Sequence, residues 1–201
     1  MTPEKRLSDI LFALIATVVF LPVMLVAALA IVLVDGRPIL YISDRAKAPG
    51  QIFRLVKFRT MRPGNDDSTA SGGHKNHRIS PLGAFLRRAR IDEMPQLWNI
   101  LKGDMSFVGP RPPLPYYVEQ FPEIYAKVLQ ARPGLTGVAS IYFHAHEDFL
   151  LRKCTTQEEN ERVYRTRCIP RKAQLDLMYV RNWSLCWDFR LILAAAFPRL
   201  R

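Results

Sequence analysis

Two neighbouring carboxylates, Asp92 and Glu93, stand just ahead of a proline in the run Ile91-Asp92-Glu93-Met94-Pro95-Gln96-Leu97-Trp98-Asn99-Ile100-Leu101-Lys102-Gly103-Asp104. Pro95 disfavours helical geometry at Met94 and suits the first turn of a new helix. A helix is therefore expected to run to about Lys102 and stop at Gly103. The pair then sits near a helix N-terminus, where negative charge is stabilised and both carboxyls should stay ionised. Three uses are open to such an aspartate: a helix cap, a ligand for Mg2+, and a nucleophile toward phosphorus. Downstream, Gly109-Pro110-Arg111-Pro112-Pro113 is a stiff, mostly extended strip. It is either a plain connector or a mount that holds Arg111 as a planar fork for a phosphate. Lys57 and Arg59 add two cations on one face of an expected strand, suited either to solubility or to an anion.

The elements that must position these groups follow from pattern. Ile39 to Ser43 and Gln51 to Thr60 read as two short strands joined by a turn at Lys47-Ala48-Pro49-Gly50. Residues 62–78 form a polar, glycine-bearing loop in which His74 and His77 read as solvated side chains. Ser80-Pro81 opens a helix to about Ile91. Arg87, Arg88 and Arg90 crowd its end, where they suit the helix dipole or a membrane surface equally.

From Ile10 to Val34 the chain is apolar except for Thr17. As a straight helix that stretch is about 37 Å long, enough for a bilayer core of about 30 Å. Asp9 before it and the turn Asp35-Gly36-Arg37-Pro38 after it argue against a cleaved leader. Pro22 near the middle should bend it, leaving each half too short to cross alone. Basic residues flank both ends: Lys5 and Arg6 before, and Arg37, Arg45 and Lys47 after. Positive charge on both flanks favours a re-entrant hairpin with both ends cytosolic over a spanning helix.

Lysine and arginine total 29 against 18 acids, a net charge of +11 that implies an anionic partner. The arginines are dispersed and no nucleic-acid motif appears, so a phosphorylated substrate or a lipid surface is preferred to nucleic acid. Cys154, Cys168 and Cys186 are an odd set without a disulfide-scaffold pattern and read as reduced cytosolic thiols. The reading is an α+β, mainly helical, monotopic membrane protein. It has an N-terminal re-entrant helix-break-helix over 1–36 and a membrane-surface catalytic domain with a small β-hairpin over 37–201.

Asp92-Glu93-Met94-Pro95-Gln96-Leu97, Leu101-Lys102-Gly103-Asp104-Met105-Ser106 and Gly109-Pro110-Arg111-Pro112 together resemble the bacterial sugar transferase family, the small monotopic phosphoglycosyl transferases. Further pieces fall in family order. These are Lys57-Phe58-Arg59-Thr60-Met61, Arg132-Pro133-Gly134-Leu135-Thr136-Gly137, and Leu175-Asp176-Leu177-Met178-Tyr179-Val180 with Asn182-Trp183-Ser184.

The resemblance implies an enzyme that moves a sugar-1-phosphate from a UDP-sugar to undecaprenyl (polyprenyl) phosphate with Mg2+, releasing UMP and initiating surface glycoconjugate assembly such as exopolysaccharide. It implies a place on the cytosolic face of the bacterial inner membrane and admits a homodimer. Carried over, Asp92 is the nucleophile of a covalent aspartyl-phosphosugar and a contact for the metal. Glu93 supports acid–base chemistry or deprotonates the lipid phosphate. Lys57, Arg59, Arg111 and Asp176 shape the substrate site.

After Gly137 the chain leaves the family pattern. Members continue with Trp-Ala-Gln-Val-Asn-Gly-Arg, whereas this chain reads Val138-Ala139-Ser140-Ile141-Tyr142-Phe143-His144-Ala145-His146-Glu147-Asp148, followed by an added stretch holding Cys154, Glu158-Glu159 and Cys168. His144, His146, Cys154 and Cys168 match no established zinc spacing, and a substrate-facing or packing role is preferred.

Overall fold

The computed structural model describes residues 2–62 and 78–197, so His74 and His77 lie outside the described residues. The chain is mainly helical, with two small two-stranded sheets.

Helix α1 covers Pro3–Val34 with Pro22 inside it. The expected helix-break-helix is thereby corrected to one unbroken helical run. A proline removes a single backbone donor, and the bonds on either side of Pro22 carry the helix through. Its contacts are divided all the same. Lys5, Asp9, Ala13, Ala27 and Ile31 are buried, in two rows spaced four residues apart, whereas every residue from Val18 to Val23 is exposed. Both ends of α1 are fastened to the rest of the protein while its middle is exposed.

The fastenings are polar. Lys5 Nζ donates to Asp188 Oδ2 at 2.5 Å, and Asp188 also accepts from Tyr179 Oη at 2.7 Å and Trp183 Nε1 at 2.9 Å. Arg6 donates to the carbonyls of Ile100 and Leu101 at 2.6 and 2.7 Å. Asp9 Oδ1 accepts from Ser106 Oγ and Phe107 N, each at 3.1 Å. At the other end Ser80 Oγ donates to Asp35 Oδ2 at 2.7 Å.

Strands β1 (Leu40–Ala48) and β2 (Gln51–Phe58) form the expected antiparallel hairpin. Tyr41, Ser43 and Arg45 face the same side as their register partners Lys57, Leu55 and Phe53. Since Phe53 and Leu55 are core residues, this row points inward and carries Lys57 and Arg45 with it. Helix α2 (Pro81–Arg88) is capped by Ser80, whose Oγ accepts from Gly83 N at 2.9 Å. A 3₁₀ turn, Ile91–Gln96, then leads into α3 (Leu97–Lys102), which ends at Gly103 with φ +92°, as the sequence predicts.

Asn99 on α3 is buried and clamps β2: Oδ1 accepts from Val56 N at 3.1 Å and Nδ2 donates to Arg54 O at 2.8 Å. The core beneath gathers Ala13, Phe53, Leu55, Leu97, Ile100 and Met105.

Strands β3 (Ser106–Val108) and β4 (Gly134–Thr136) pair in parallel, a feature the sequence reading lacks. Their backbones meet at glycines: a Cβ on Gly134 would lie 2.1 Å from Gly109 N, and one on Gly109 would lie 2.2 Å from Arg132 O. Gly109 N donates to Thr136 O at 2.9 Å and Gly134 N to Pro110 O at 2.8 Å, so the strip bearing Arg111 is held at its start. The remaining helices are α4 (Pro115–Gln120), α5 (Pro122–Val128), α6 (Val138–Tyr142), α7 (His144–Arg152), α8 (Gln157–Val163), α9 (Ile169–Arg181) and α10 (Leu185–Ala196), with a π turn at Tyr164–Cys168 before α9. Packing of α6, α9 and α10 on β3 builds a second core around Val108, Val138, Ile141, Tyr179 and Leu191.

Candidate active site

Asp92 and Glu93 occupy the first turn of the 3₁₀ segment, not an α-helical N-terminus, and only 7% and 9% of their surface is exposed. Arg90 ahead of them has φ +59°, a left-handed conformation that costs a non-glycine residue about 1 kcal/mol. That turn reverses the chain after α2, and Arg90 Nη1 donates to Glu93 Oε2 at 2.9 Å. The other oxygen, Glu93 Oε1, accepts from Arg111 Nη2 at 2.9 Å. Both oxygens of Glu93 are thus taken by guanidinium groups.

The neighbours are pushed apart electrostatically. For Glu93, burial works against the charged form, but Arg111 and Arg90 outweigh it and bring its pKa down to about 2. For Asp92, burial and the adjacent Glu93 charge raise the pKa above the ordinary aspartate value, against the pull of Lys57, Arg87 and Arg111. The expectation that the carboxyls stay ionised at neutral pH fits Glu93, whose pKa is brought down, and the shift of Asp92 runs in the opposite direction.

Cations surround the pair. Burial, with repulsion from Arg45, Arg111 and Arg87, lowers Lys57 to a pKa of about 8. Arg45 is lowered by burial and by Arg111, and its Nη1 donates to Pro112 O at 3.2 Å. Arg87 is aimed by Thr60, whose Oγ1 accepts from its Nε at 2.7 Å. Its charge is opposed by burial and favoured by Asp92 and Glu93. Cations that depress one another this way form a site that an added polyanion relieves.

A family model described as bacterial sugar transferase matches residues 2–200. The chain belongs to that family. It is an enzyme of the transferase class, and three of its relatives bear names of one reaction type. It is 38% identical over 195 residues to the UDP-glucose:undecaprenyl-phosphate glucose-1-phosphate transferase of Caulobacter vibrioides, covering 94% of this chain and 67% of the relative. The Escherichia coli (strain K12) protein of the same name is 30% identical over 197 residues, covering 96% and 39%. The UDP-N-acetylgalactosamine-undecaprenyl-phosphate N-acetylgalactosaminephosphotransferase of Aeromonas hydrophila is 32% identical over 194 residues, covering 94% and 41%. The chain spans about two fifths of the length of the latter two.

Of the residues singled out from sequence in this sugar transferase, the structure brings Asp92, Glu93, Lys57 and Arg111 together. Arg59 is spent elsewhere: it donates to the carbonyls of Asp35, Gly36 and Pro38 at 2.6–2.7 Å and closes the turn after α1. Asp176 is buried on α9 and accepts from Ala139 N on α6, with burial raising its pKa to about 7 against the pull of Lys172. Both are positioning residues in this arrangement. Arg45, Arg87 and Arg90 are the site cations that the sequence reading did not assign. Strand register carries a signal for Arg45, which shares the inward face of the hairpin with Lys57.

In the variant segment, His146 stacks between Phe143 and Phe149 at centroid distances of 5.4 and 6.2 Å. His144 lies 3.8 Å from Asp148, and Cys168 is buried. These are packing and helix-surface roles.

Among the described residues no three His, Cys, Asp or Glu side chains converge as a metal cage. Mg2+ is often held by one or two carboxylates while substrate phosphates complete its shell. With Glu93 tied to two arginines, Asp92 is the carboxylate that fits such a shared site.

Proposed function

We propose that the chain transfers a sugar-1-phosphate from a UDP-sugar to undecaprenyl phosphate, releasing UMP, by two displacements at one phosphorus. The observation that carries this reading is the contrast between the neighbours: Glu93 has both oxygens bound by arginines, whereas among the described residues Asp92 has no such ion pair and lies in the field of Lys57, Arg87 and Arg111. An untied carboxylate under cations suits attack on a diphosphate; a doubly bound one suits holding Arg111 in place.

In the first step an Asp92 carboxylate oxygen attacks the phosphorus that bears the sugar. The bond from that phosphorus to the bridging oxygen breaks, and UMP departs with the electron pair. In the second, an oxygen of the lipid phosphate attacks the same phosphorus, the acyl phosphate bond breaks, and Asp92 returns as a free carboxylate. Lys57, Arg87 and Arg111 offset the charge that gathers as two anions meet. Mg2+, held by Asp92 and the diphosphate, would supply further charge neutralisation at the phosphorus. Glu93, with a pKa near 2, is a weak proton acceptor here and acts by orienting Arg111.

The membrane placement belongs to the same proposal. Helix α1 is long and apolar enough to cross a bilayer. Its two ends pack on one protein body while Val18–Val23 are exposed, and a kink of the axis at Pro22 within the continuous helix would let this belt dip into the cytosolic leaflet of the inner membrane and return. That depth sets the site beside lipid phosphates.

The test is intact-protein mass after incubation with a UDP-sugar and Mg2+ in the absence of lipid acceptor. Wild type should gain one phosphosugar and release one equivalent of UMP, and Asp92→Asn should do neither. Glu93→Gln should retain some adduct. An adduct persisting in Asp92→Asn moves the nucleophile elsewhere. Turnover only with both substrates present, without adduct, replaces this scheme by direct transfer.

A further inference from the structure

Beside Arg111, on the side away from Asp92 and Glu93 in sequence, lies a second charged cluster that the reaction scheme leaves unused. Lys172 Nζ on α9 donates to both oxygens of Glu147 on α7, at 3.0 and 3.2 Å, and to Tyr164 Oη at 3.4 Å. The same ammonium sits 5.2 Å from the Tyr164 ring centre. The ion pair is mostly but not wholly enclosed, with 17% and 16% of the two side chains exposed. Tyr164 stacks at 5.1 Å on Tyr117, whose hydroxyl donates to Glu161 Oε2 at 2.8 Å.

This cluster adjoins the reaction centre. Glu147 stabilises the Arg111 charge more strongly than Asp92 does, although Glu93 dominates. Lys172 feels Arg111 in turn, and one helical turn along α9 it faces Asp176. A mostly enclosed carboxylate–ammonium pair with a phenol at its edge offers acceptors and donors at fixed spacing. Vicinal hydroxyl groups match such a set.

We propose that Glu147, Lys172 and Tyr164 form the wall of the site that reads the hydroxyl groups of the transferred sugar and so sets which UDP-sugar this chain uses. The inference rests on the phosphosugar-transfer reading given above. Two vicinal-hydroxyl groups occur in such a donor, one on the sugar and one on the ribose. The sugar is favoured because Glu147 lies where this sequence leaves the family pattern. The named relatives share UDP and undecaprenyl phosphate in their titles and differ in the sugar, glucose in one and N-acetylgalactosamine in another. A variable wall goes with the variable part of the substrate.

The experiment measures binding of UMP, UDP-glucose, UDP-galactose, UDP-N-acetylglucosamine and UDP-N-acetylgalactosamine to the full chain in detergent. It uses the Asp92→Asn protein, so that binding is read without turnover, and the same protein carrying Glu147→Gln, Lys172→Met or Tyr164→Phe. The expected result is about a tenfold loss of affinity for the preferred UDP-sugar, the order of preference among sugars altered, and UMP affinity unchanged. Tyr164→Phe, the smallest change, should alter preference without altering thermal stability. An equal loss for UMP and every UDP-sugar would assign the cluster to the ribose and overturn the proposal. Unchanged affinities throughout would make the cluster structural and overturn it too. Failure of the reaction reading looks different: no UDP-sugar and no UMP binds even before the wall is altered, and wild type releases no UMP.

Discussion

Asp92 and Glu93 are adjacent in sequence and unlike in state, and the difference is made by the two arginines that bind Glu93 and by the burial and neighbouring charge that raise Asp92. Arg111 holds one oxygen of Glu93 through Nη2. Lysine at that position keeps the charge and loses the planar geometry. Arg111→Lys should therefore lower kcat/KM for UMP release about a hundredfold while the protein stays folded; near-normal turnover would reduce Arg111 to an electrostatic role. The pH profile tests Lys57. Its ammonium has a pKa of about 8 in the free protein, so the cation is present below that pH and lost above it. kcat/KM should fall as pH rises through about 8, and Lys57→Arg should remove that alkaline limb. Because a bound diphosphate favours the charged ammonium, the limb in kcat should lie higher than the limb in kcat/KM. A kcat/KM flat across that range would exclude Lys57 from substrate binding. At this scale residue type and immediate neighbours single out Asp92, Glu93, Lys57 and Arg111, which the structure gathers into one cluster; their roles in it belong to the proposal. The sequence was silent on Arg45 and Arg87, whose roles depend on strand register and on a threonine twenty-seven positions upstream. It gave no sign of the three carbonyl partners of Arg59, which come from a turn that no local pattern connects to it.

Single side chains join the elements. Asn99 replaces a missing ladder partner for β2 by satisfying one donor and one acceptor of that strand. Removal leaves both part-buried groups without that partner, at up to about 1–3 kcal/mol each. Asn99→Ala should thus destabilise the protein by about 3 kcal/mol in reversible denaturation, with loss of activity following loss of fold. A drop below about 0.5 kcal/mol would mean that water or a shifted strand satisfies those groups. The hairpin, α2 and the stop of α3 at Gly103 were all legible from turn residues, caps and alternation. The parallel β3–β4 pair was not. Its strands have three residues each, too few for a periodic signal, and their reason for pairing is the glycine contact between two distant motifs.

At the scale of the whole molecule, α1 departs most from the sequence reading. A proline in a long apolar run suggested a break, and the hydrogen-bonded run continues through it. Composition could not reveal that Lys5, Arg6 and Asp9 reach into the body while Ala27 and Ile31 pack near Phe58 and Leu86. With both ends fastened to one body, cysteines placed at positions 3 and 36 should be labelled from the same side of the membrane. The native thiols, including exposed Cys186, are replaced beforehand. Labelling from opposite sides would mean a spanning helix. Pro22→Ala restores one backbone donor, and its effect on that labelling measures how far the proline itself sets the topology.

The fastening of Lys5 under Asp188, Tyr179 and Trp183 bears on how this protein can be handled. Helix α1 serves as a wall of the building more than as its mooring rope. Deleting the first 36 residues to obtain a water-soluble enzyme would strip the cation from a buried aspartate and uncover Phe53, Leu97 and Ile100, where Ala13 now sits. Better solubility is to be sought on the exposed belt from Val18 to Val23, where polar replacements leave the buried rows at Lys5–Ala13 and Ala27–Ile31 intact.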